Sequence, residues 1–433
     1  MVKKMSRVAA CMSVLLASAF AACNVSSTDE TTGGVNDGAG GAGGAGGASA
    51  NDRCPAGVTV VLSDYLSTQI ALSSLQGETR SASFLSTAST SSGLAFALSG
   101  DVTVPSAAPA SGKIVLLDRY GTNVISWANP KTAQVIAQLE VGTGFESNPQ
   151  DYLEVDDETA FVTRYGVNAD AGKQDFDEGD DVLVLDLSNQ KKPEIADRIA
   201  LPRKNDLPAR PGRMLRVGDE IIVPLERLSE DFSTTGDAML VGISIEDRSV
   251  AWTQTLEGLK NCGRPSLSPD GRRLVVACNG SVDENGLPRV DESALVFFKA
   301  EKGPLEEIER VSAGDLIGEA VQSRAVYASD QVLLFGTQTA WGGDTNNRLF
   351  AYDLKSGEAT ELLEASPDAQ GLGKGLVYVG LACAPGCSDT CLVADADKGV
   401  LQRVKVTGNE VELLEPVTVE NAVGLPPTGL GHR

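Results

Sequence analysis

The chain has 433 residues, and 36 Lys+Arg against 59 Asp+Glu give it a formal net charge of −23. A surface this acidic repels phosphate backbones and excludes nucleic acid as a partner. The one histidine, His432, excludes Ser-His-Asp and Cys-His catalysis, histidine-ligated haem or copper and three-histidine zinc sites, unless that residue is itself recruited.

Residues 1–22 start with Lys3, Lys4 and Arg7 and continue as an apolar run from Val8 to Ala22. At about fifteen residues the run is short of the roughly 20 that span a bilayer, so it reads as a signal peptide. Ala21-Ala22-Cys23 resembles the bacterial lipobox, with Phe20 where leucine is usual. The resemblance implies a lipoprotein signal peptide and acylation of Cys23; an ordinary secretory cut would instead leave Cys23 as a free thiol. Residues 23–53 join that cysteine to a Gly/Ala-rich stretch without side chains that can pack. Such a stretch is a flexible tether with a reach of about 30 Å. The expectation is a globular body over residues 54–433, held by lipid at the bacterial outer membrane, on its periplasmic or its cell-surface side.

Beyond the tether, apolar pentamers recur: VVLSD at 60–64, IVLLD at 114–118, VLVLD at 182–186, LVGIS at 240–244, LVFFK at 295–299, LFAYD at 349–353 and CLVAD at 391–395. Five of the seven end in Asp, and each precedes a turn and an alternating strand such as "LKSGEATELL". A second hairpin sits before most of them, as in "PSLSPDGRRLVVACNG" and "GKGLVYVGLAC", with the weaker "STSSGLAFALSG" in the first unit. Each unit is then four strands in about 55 residues, and seven such units form an all-β, seven-bladed β-propeller of four-stranded antiparallel blades. The chain starts with what reads as an outer strand pair at 60–76 and ends in "NAVGLPPTGLGHR", so the last blade is expected to be closed by strands from both termini.

Gly263, Pro265, Ser268-Pro269-Asp270-Gly271 and Leu274 to Asn279 resemble the YVTN-type propeller repeat, and "NPQDYLEVDDETAFVTRYG" with "VLVLDLS" is similar to it without the SPDG turn. The resemblance is close over two units and implies the seven-bladed fold. Such repeats occur in surface-layer, lactonase-like and binding proteins, so no single activity follows from it.

Four connections between second and third strands are long: 166–181, 227–238, 279–294 and 339–348. Long loops on one face of a rigid scaffold are the usual place for a binding site. The first carries Asp170, Asp175, Asp177, Glu178, Asp180 and Asp181, of which the five aspartates are candidate calcium ligands. Their spacing does not match the twelve-residue calcium loop, and the alternative is a solvated acidic loop or one facing a basic partner. Six residues before the turn aspartates Asp219, Asp270 and Asp330 stand Arg213, Arg264 and Arg324. Three successive blades would thus begin their innermost strand with arginine at the channel mouth, an anion clamp, unless these arginines pair with the acidic loops. Trp127 and Trp252 read as packed strand residues, whereas Trp341, in a long loop, is a candidate ligand platform.

After the leader, Cys54, Cys262, Cys278, Cys383, Cys387 and Cys391 remain, an even number in an exported chain, and disulfides are expected. Cys262 and Cys278 flank one hairpin and are expected to pair. The other four are expected to form one bridge within "CAPGCSDTC" and one tying the N-terminal strand to the neighbouring blade. The functional expectation is a monomeric, non-enzymatic envelope lipoprotein, a ligand-binding or protein-interaction scaffold whose partner is an envelope protein or an anionic small ligand. The alternative is a hydrolase or lactonase-like enzyme using acidic residues of the loop-rich face. No cofactor is expected, with calcium the one candidate.

Overall fold

The apolar positions of all seven pentamers are buried, because each lies in a strand with a neighbouring sheet on both faces. These strands were located in a computed structural model, which describes residues 54–90, 92–339, 347–366, 377–419 and 424–433. The leader, Cys23, the whole of the tether and Trp341 lie outside the described residues.

Seven four-stranded antiparallel sheets follow one another along the chain. From innermost to outermost strand, blade I runs from Val102–Thr103 to Val135–Glu140, blade II from Pro149–Glu154 to Glu194–Ala200 and blade III from Leu215–Val217 to Ser249–Thr255. Blade IV runs from Ser266–Leu267 to Glu307–Ser312, blade V from Val321–Tyr327 to Glu358–Glu364 and blade VI from Leu381–Ala382 to Glu410–Thr418. Blade VII takes its innermost strand, Pro427–His432, from the end of the chain and its other three, Val58–Ser63, Thr68–Ser73 and Thr79–Ser86, from the start. The propeller is closed by both termini as expected, with one correction: the N-terminal segment supplies three strands, not two.

The phase of the repeat also needs correction. VLVLD, LVGIS, LVFFK and LFAYD are third strands of their blades, whereas VVLSD, IVLLD and CLVAD fall in second strands. The segment 89–100 contributes no strand among its described residues, and blade I begins at Val102 instead. The physical reason is that second and third strands are both sandwiched between neighbouring blades, so both read as unbroken apolar runs. Outermost strands instead leave many of their positions exposed, as in Glu358–Glu364.

Seven clusters of buried apolar side chains hold the sheets together, and each spans two successive blades. Strand alternation divides one strand between two clusters: Val58, Val60 and Leu62 face blade VI, while Val61 faces blade I. The SPDG turn of blade IV follows its residue types. Ser268 Oγ donates to Asp270 Oδ1 at 2.6 Å and accepts from the amide of Arg273 at 2.9 Å, and Gly271 takes the left-handed conformation with φ 69°.

The cysteines pair as Cys262–Cys278, Cys383–Cys391 and Cys54–Cys387, which are the hairpin bridge, the bridge within the short loop and the tie from the N-terminal strand to blade VI. Trp127 and Trp252 are packed strand residues, their indole N–H groups donating to Tyr152 Oη at 3.0 Å and Glu220 Oε2 at 2.9 Å. Leu430 carries the closing strand into the cluster shared with blade VI. Leu430→Ala is expected to cost about 2–5 kcal/mol, read as a lower urea midpoint, and deletion of residues 427–433 to abolish cooperative unfolding.

Candidate functional site

In each blade, the connection from second to third strand leaves the same face as the start of the innermost strand. We call this the upper face. A cavity of about 290 Å³ opens there at the mouth of the central channel. Arg213, Arg264 and Arg324 all line it. They come from blades III, IV and V, and the backbones of Arg264 and Arg324 meet directly as an isolated bridge.

The three guanidinium groups bond to backbone and hydroxyl oxygens. Arg213 donates to Val104 O at 3.0 Å and to Thr103 Oγ1. Arg264 donates to Ser106 O, and Arg324 to Leu381 O and, at 3.5 Å, to Leu430 O. Among the described residues, none of the three has a carboxylate at ion-pair distance, and Nε of Arg264 and of Arg324 is buried without a partner. The alternative of arginines paired to the acidic loops is thus not what the described residues adopt. Each side chain keeps partial access to the cavity while protein surrounds it, and this desolvation weakens its hold on the proton. Burial pushes Arg213 below its ordinary value, Arg264 down to about 10 and Arg324 well down, the last repelled also by Arg264 and Arg213. Arginine stays charged in proteins, so the cluster is a fixed positive potential.

The one carboxylate whose field reaches all three is Asp151, on the innermost strand of blade II. It is fully buried, and its oxygens accept from the amides of Ser106 at 2.8 Å and Met214 at 2.7 Å. Sequence reasoning missed it although the signal was present: the count of six residues back from a turn aspartate, applied to Asp157, lands on Asp151.

Arg119, paired with Asp101, and Glu226 complete the polar rim. Tyr165 Oη donates to Glu226 Oε2 at 2.8 Å, and Arg210 lies over the Tyr165 ring at 5.0 Å. Burial raises the Glu226 carboxyl above its ordinary value, with the Tyr165 hydrogen bond and Arg210 opposing the shift.

Four of the five candidate calcium ligands have separate partners. Asp170 pairs with Lys173, and Asp175 is exposed. Asp177 accepts from the amides of Gly172, Lys173 and Gln174 at 2.8, 2.8 and 3.1 Å, which folds the loop on itself. Asp180 accepts from the amides of Ala209 and Arg210 at 2.9 and 2.7 Å and links blade II to blade III. Asp181 forms a buried pair with Arg164 at 2.7 Å and a further one with Arg198 at 2.6 Å. Arg164 in turn holds the loop by donating to Phe176 O at 2.7 Å. Among the described residues, no group of three or more His, Cys, Asp or Glu side chains is arranged to hold a metal ion.

His432 lies on the closing strand, toward the other end of the channel. Burial, then the charges of Arg264 and Arg324, push its imidazole down to about 3.

No family model matches the chain, and no curated protein matches it in sequence. Solved structures with a similar fold include a periplasmic gluconolactonase of Pseudomonas aeruginosa, at 15% identity and a TM-score of 0.53, covering 86% of this chain and 98% of that one. A Lactobacillus plantarum protein aligns at 11% identity and a TM-score of 0.57, covering 87% and 98%. A Bacteroides fragilis protein provisionally described as a 6-phosphogluconolactonase aligns at 12% identity and a TM-score of 0.52, covering 87% and 97%. At these identities the likeness is one of fold.

Two outcomes follow for the buried charges. Asp181→Asn leaves Arg164 buried without its anion and is expected to cost about 3–5 kcal/mol in urea denaturation, because an uncompensated interior charge is expensive. His432 binds its proton near pH 3 when folded and near 6.5 when unfolded, so the unfolded chain takes up more protons as pH falls through that window. Stability is expected to decline from about pH 6.5 downward, and His432→Gln to flatten the decline between pH 6.5 and 5, measured by thermal melts.

Proposed function

We propose that the chain is a non-enzymatic binding propeller of the bacterial envelope, anchored by lipid on Cys23, whose channel mouth receives an anionic group. The observation that carries this reading is the convergence of Arg213, Arg264 and Arg324 in one cavity without a paired carboxylate among the described residues. A carboxylate or phosphate entering there meets donors already oriented and relieves the repulsion among them. A cavity of about 290 Å³ suits a small anion or a single acidic side chain, not an extended polymer. The exposed apolar residues Leu66, Tyr120, Phe232, Val282 and Leu287 sit on second-to-third connections of the same face and favour a protein that presents the anionic group. The reading needs no metal.

A second reading is a lactonase-like hydrolase of an anionic substrate, with Glu226 as the proton-transferring group. It is favoured by a carboxyl of raised proton affinity beside the arginines, and by the fold shared with gluconolactonases.

Calorimetric titration with phosphate, citrate and succinate is expected to give a Kd below about 1 mM for at least one of them, weakened at least tenfold in the folded Arg213→Ala, Arg264→Ala, Arg324→Ala triple variant. Absence of binding and of any anion-dependent rise in Tm would sink the anion reading. Hydrolysis of gluconolactone or its 6-phosphate above the buffer rate, lost in Glu226→Gln, would replace the binding reading by the hydrolase.

A further inference from the structure

Among the described residues, two carboxylates line the cavity at the channel mouth, Asp101 and Glu226. Asp101 is held by Arg119, whose Nε donates to it at 3.0 Å. Glu226 has no cation at ion-pair distance among the described residues. Its Oε2 accepts from Tyr165 Oη at 2.8 Å, while its Oε1 has no hydrogen-bond partner among the described residues and is not closed off by protein. A partly buried carboxylate with one oxygen open lacks the positive group that would offset its lost hydration.

Glu226 stands above the three arginines. Its amide donates to Arg210 O at 3.1 Å, and Arg210 precedes Arg213 by three residues on the segment that descends the channel wall, a span of at most about 10 Å. Arg213 reaches across to Thr103 and Val104 of blade I, below the Asp101 and Arg119 pair of the same blade. Burial, Tyr165 and Arg210 set the raised proton affinity of Glu226, and the three arginines of the mouth contribute nothing to it, as the separation requires. Glu226 is also fixed in place. Its partner Tyr165 is braced by Arg210, which lies between the Tyr165 and Phe232 rings at 5.0 and 5.1 Å and donates to Tyr165 O at 2.8 Å.

On the arginine side, Nε of Arg213 and Nη1 of Arg324 have no partner among the described residues and are likewise not closed off. The mouth thus offers open donors on fixed cations at one level and an open acceptor on a fixed anion at another. The long loops of this face are acidic, with Asp170, Asp175 and Glu178 exposed, and the chain as a whole carries a net charge of −23. A dianion is repelled as it approaches such a face, whereas a ligand without net charge is not.

We propose that the mouth is specific for a small zwitterion, an ω-amino carboxylate whose carboxylate accepts from Arg213 and Arg324 and whose ammonium donates to Glu226. The assignment rests on the anion reading of the same cavity and adds the second charge. Charges held at two levels suit a ligand whose own charges are separated by about three methylenes or more. The ammonium supplies the cation that Glu226 lacks, and each charged end gains charge-assisted hydrogen bonds from groups already in place.

Calorimetric titration with 4-aminobutyrate, 6-aminohexanoate, butyrate, 1,4-diaminobutane and succinate tests this. At least one of the two amino acids is expected to bind at least tenfold more tightly than butyrate and than 1,4-diaminobutane, and Glu226→Gln to shrink the preference over butyrate to less than about twofold. Binding of succinate without any preference for the amino acids over butyrate would overturn the zwitterion and leave the anion reading standing; absence of binding by every anion would sink both. A preference that survives in folded Glu226→Gln, or 1,4-diaminobutane binding as tightly as the amino acids, would also overturn it. Should Glu226→Gln fail to fold, the order of affinities in the unaltered protein decides alone.

Discussion

Everything in this propeller depends on one packing constraint: a central strand has to bury both of its faces, and a single four-stranded sheet can bury neither. Each sheet therefore needs two neighbours, and the seven inter-blade clusters meet that need only as a closed ring. The division of Val58–Ser63 between blades VI and I is the constraint at its smallest scale, since one strand serves two interfaces by alternation. Closure also removes the edge that a free strand would present to other chains.

The electrostatics of the channel follow from the same geometry. Ring closure brings innermost strands together, so like residues at like positions in successive blades become neighbours in space although they are far apart in sequence. Three arginines of blades III to V thus face one small volume, and Asp151, at the equivalent position of blade II, lies buried within reach of their field. Asp151 is committed to two backbone amides and neutralises the cluster only in part. The acidic loops, which carry much of the negative charge on this face, are occupied elsewhere: Asp181 with Arg164, Asp180 with the backbone of blade III and Asp177 with its own loop. An acidic protein can in this way keep a cationic centre.

Fold class, blade count and the Cys262–Cys278 bridge were legible because they rest on local signals: apolar pentamers, turn residues and two cysteines flanking one hairpin; which loop cysteine pairs with Cys54, 333 residues away from Cys387, was not. The phase of the repeat was not, because IVLLD in a second strand and VLVLD in a third meet the same environment on both faces and so carry the same pattern. Only the partner across the sheet distinguishes them, and that partner is not written locally. The arginines could be found because each stands six residues before a turn aspartate, although the turns themselves differ in length. Asp151 stands at the same count before Asp157, but a search for one charge sign passes over it. Glu226 and the environment of His432 were out of reach, since both are defined by groups from other blades; Glu226 is met by Tyr165, 61 residues away. The clustering of aspartates at 170–181 suggested a shared centre, yet adjacent residues on a strand point to opposite faces, and Asp180 and Asp181 accordingly find different partners.

The Cys54–Cys387 bridge also settles how the body takes a mechanical load. Tension on the chain ahead of residue 54 divides at that residue between the backbone leading into Val58–Ser63 and the sulfur bridge into blade VI. Blade VI is cross-linked again by Cys383–Cys391, so part of the pull reaches the well-buried strand Thr390–Asp395 through covalent bonds alone. Val58–Ser63 pairs with Pro427–His432 across 367 residues of sequence, and unzipping those two strands would open the ring. The bridge shunts force around that seam. A body pulled at its amino-terminal end is in this way protected at the one joint where its closure is not continuous along the chain.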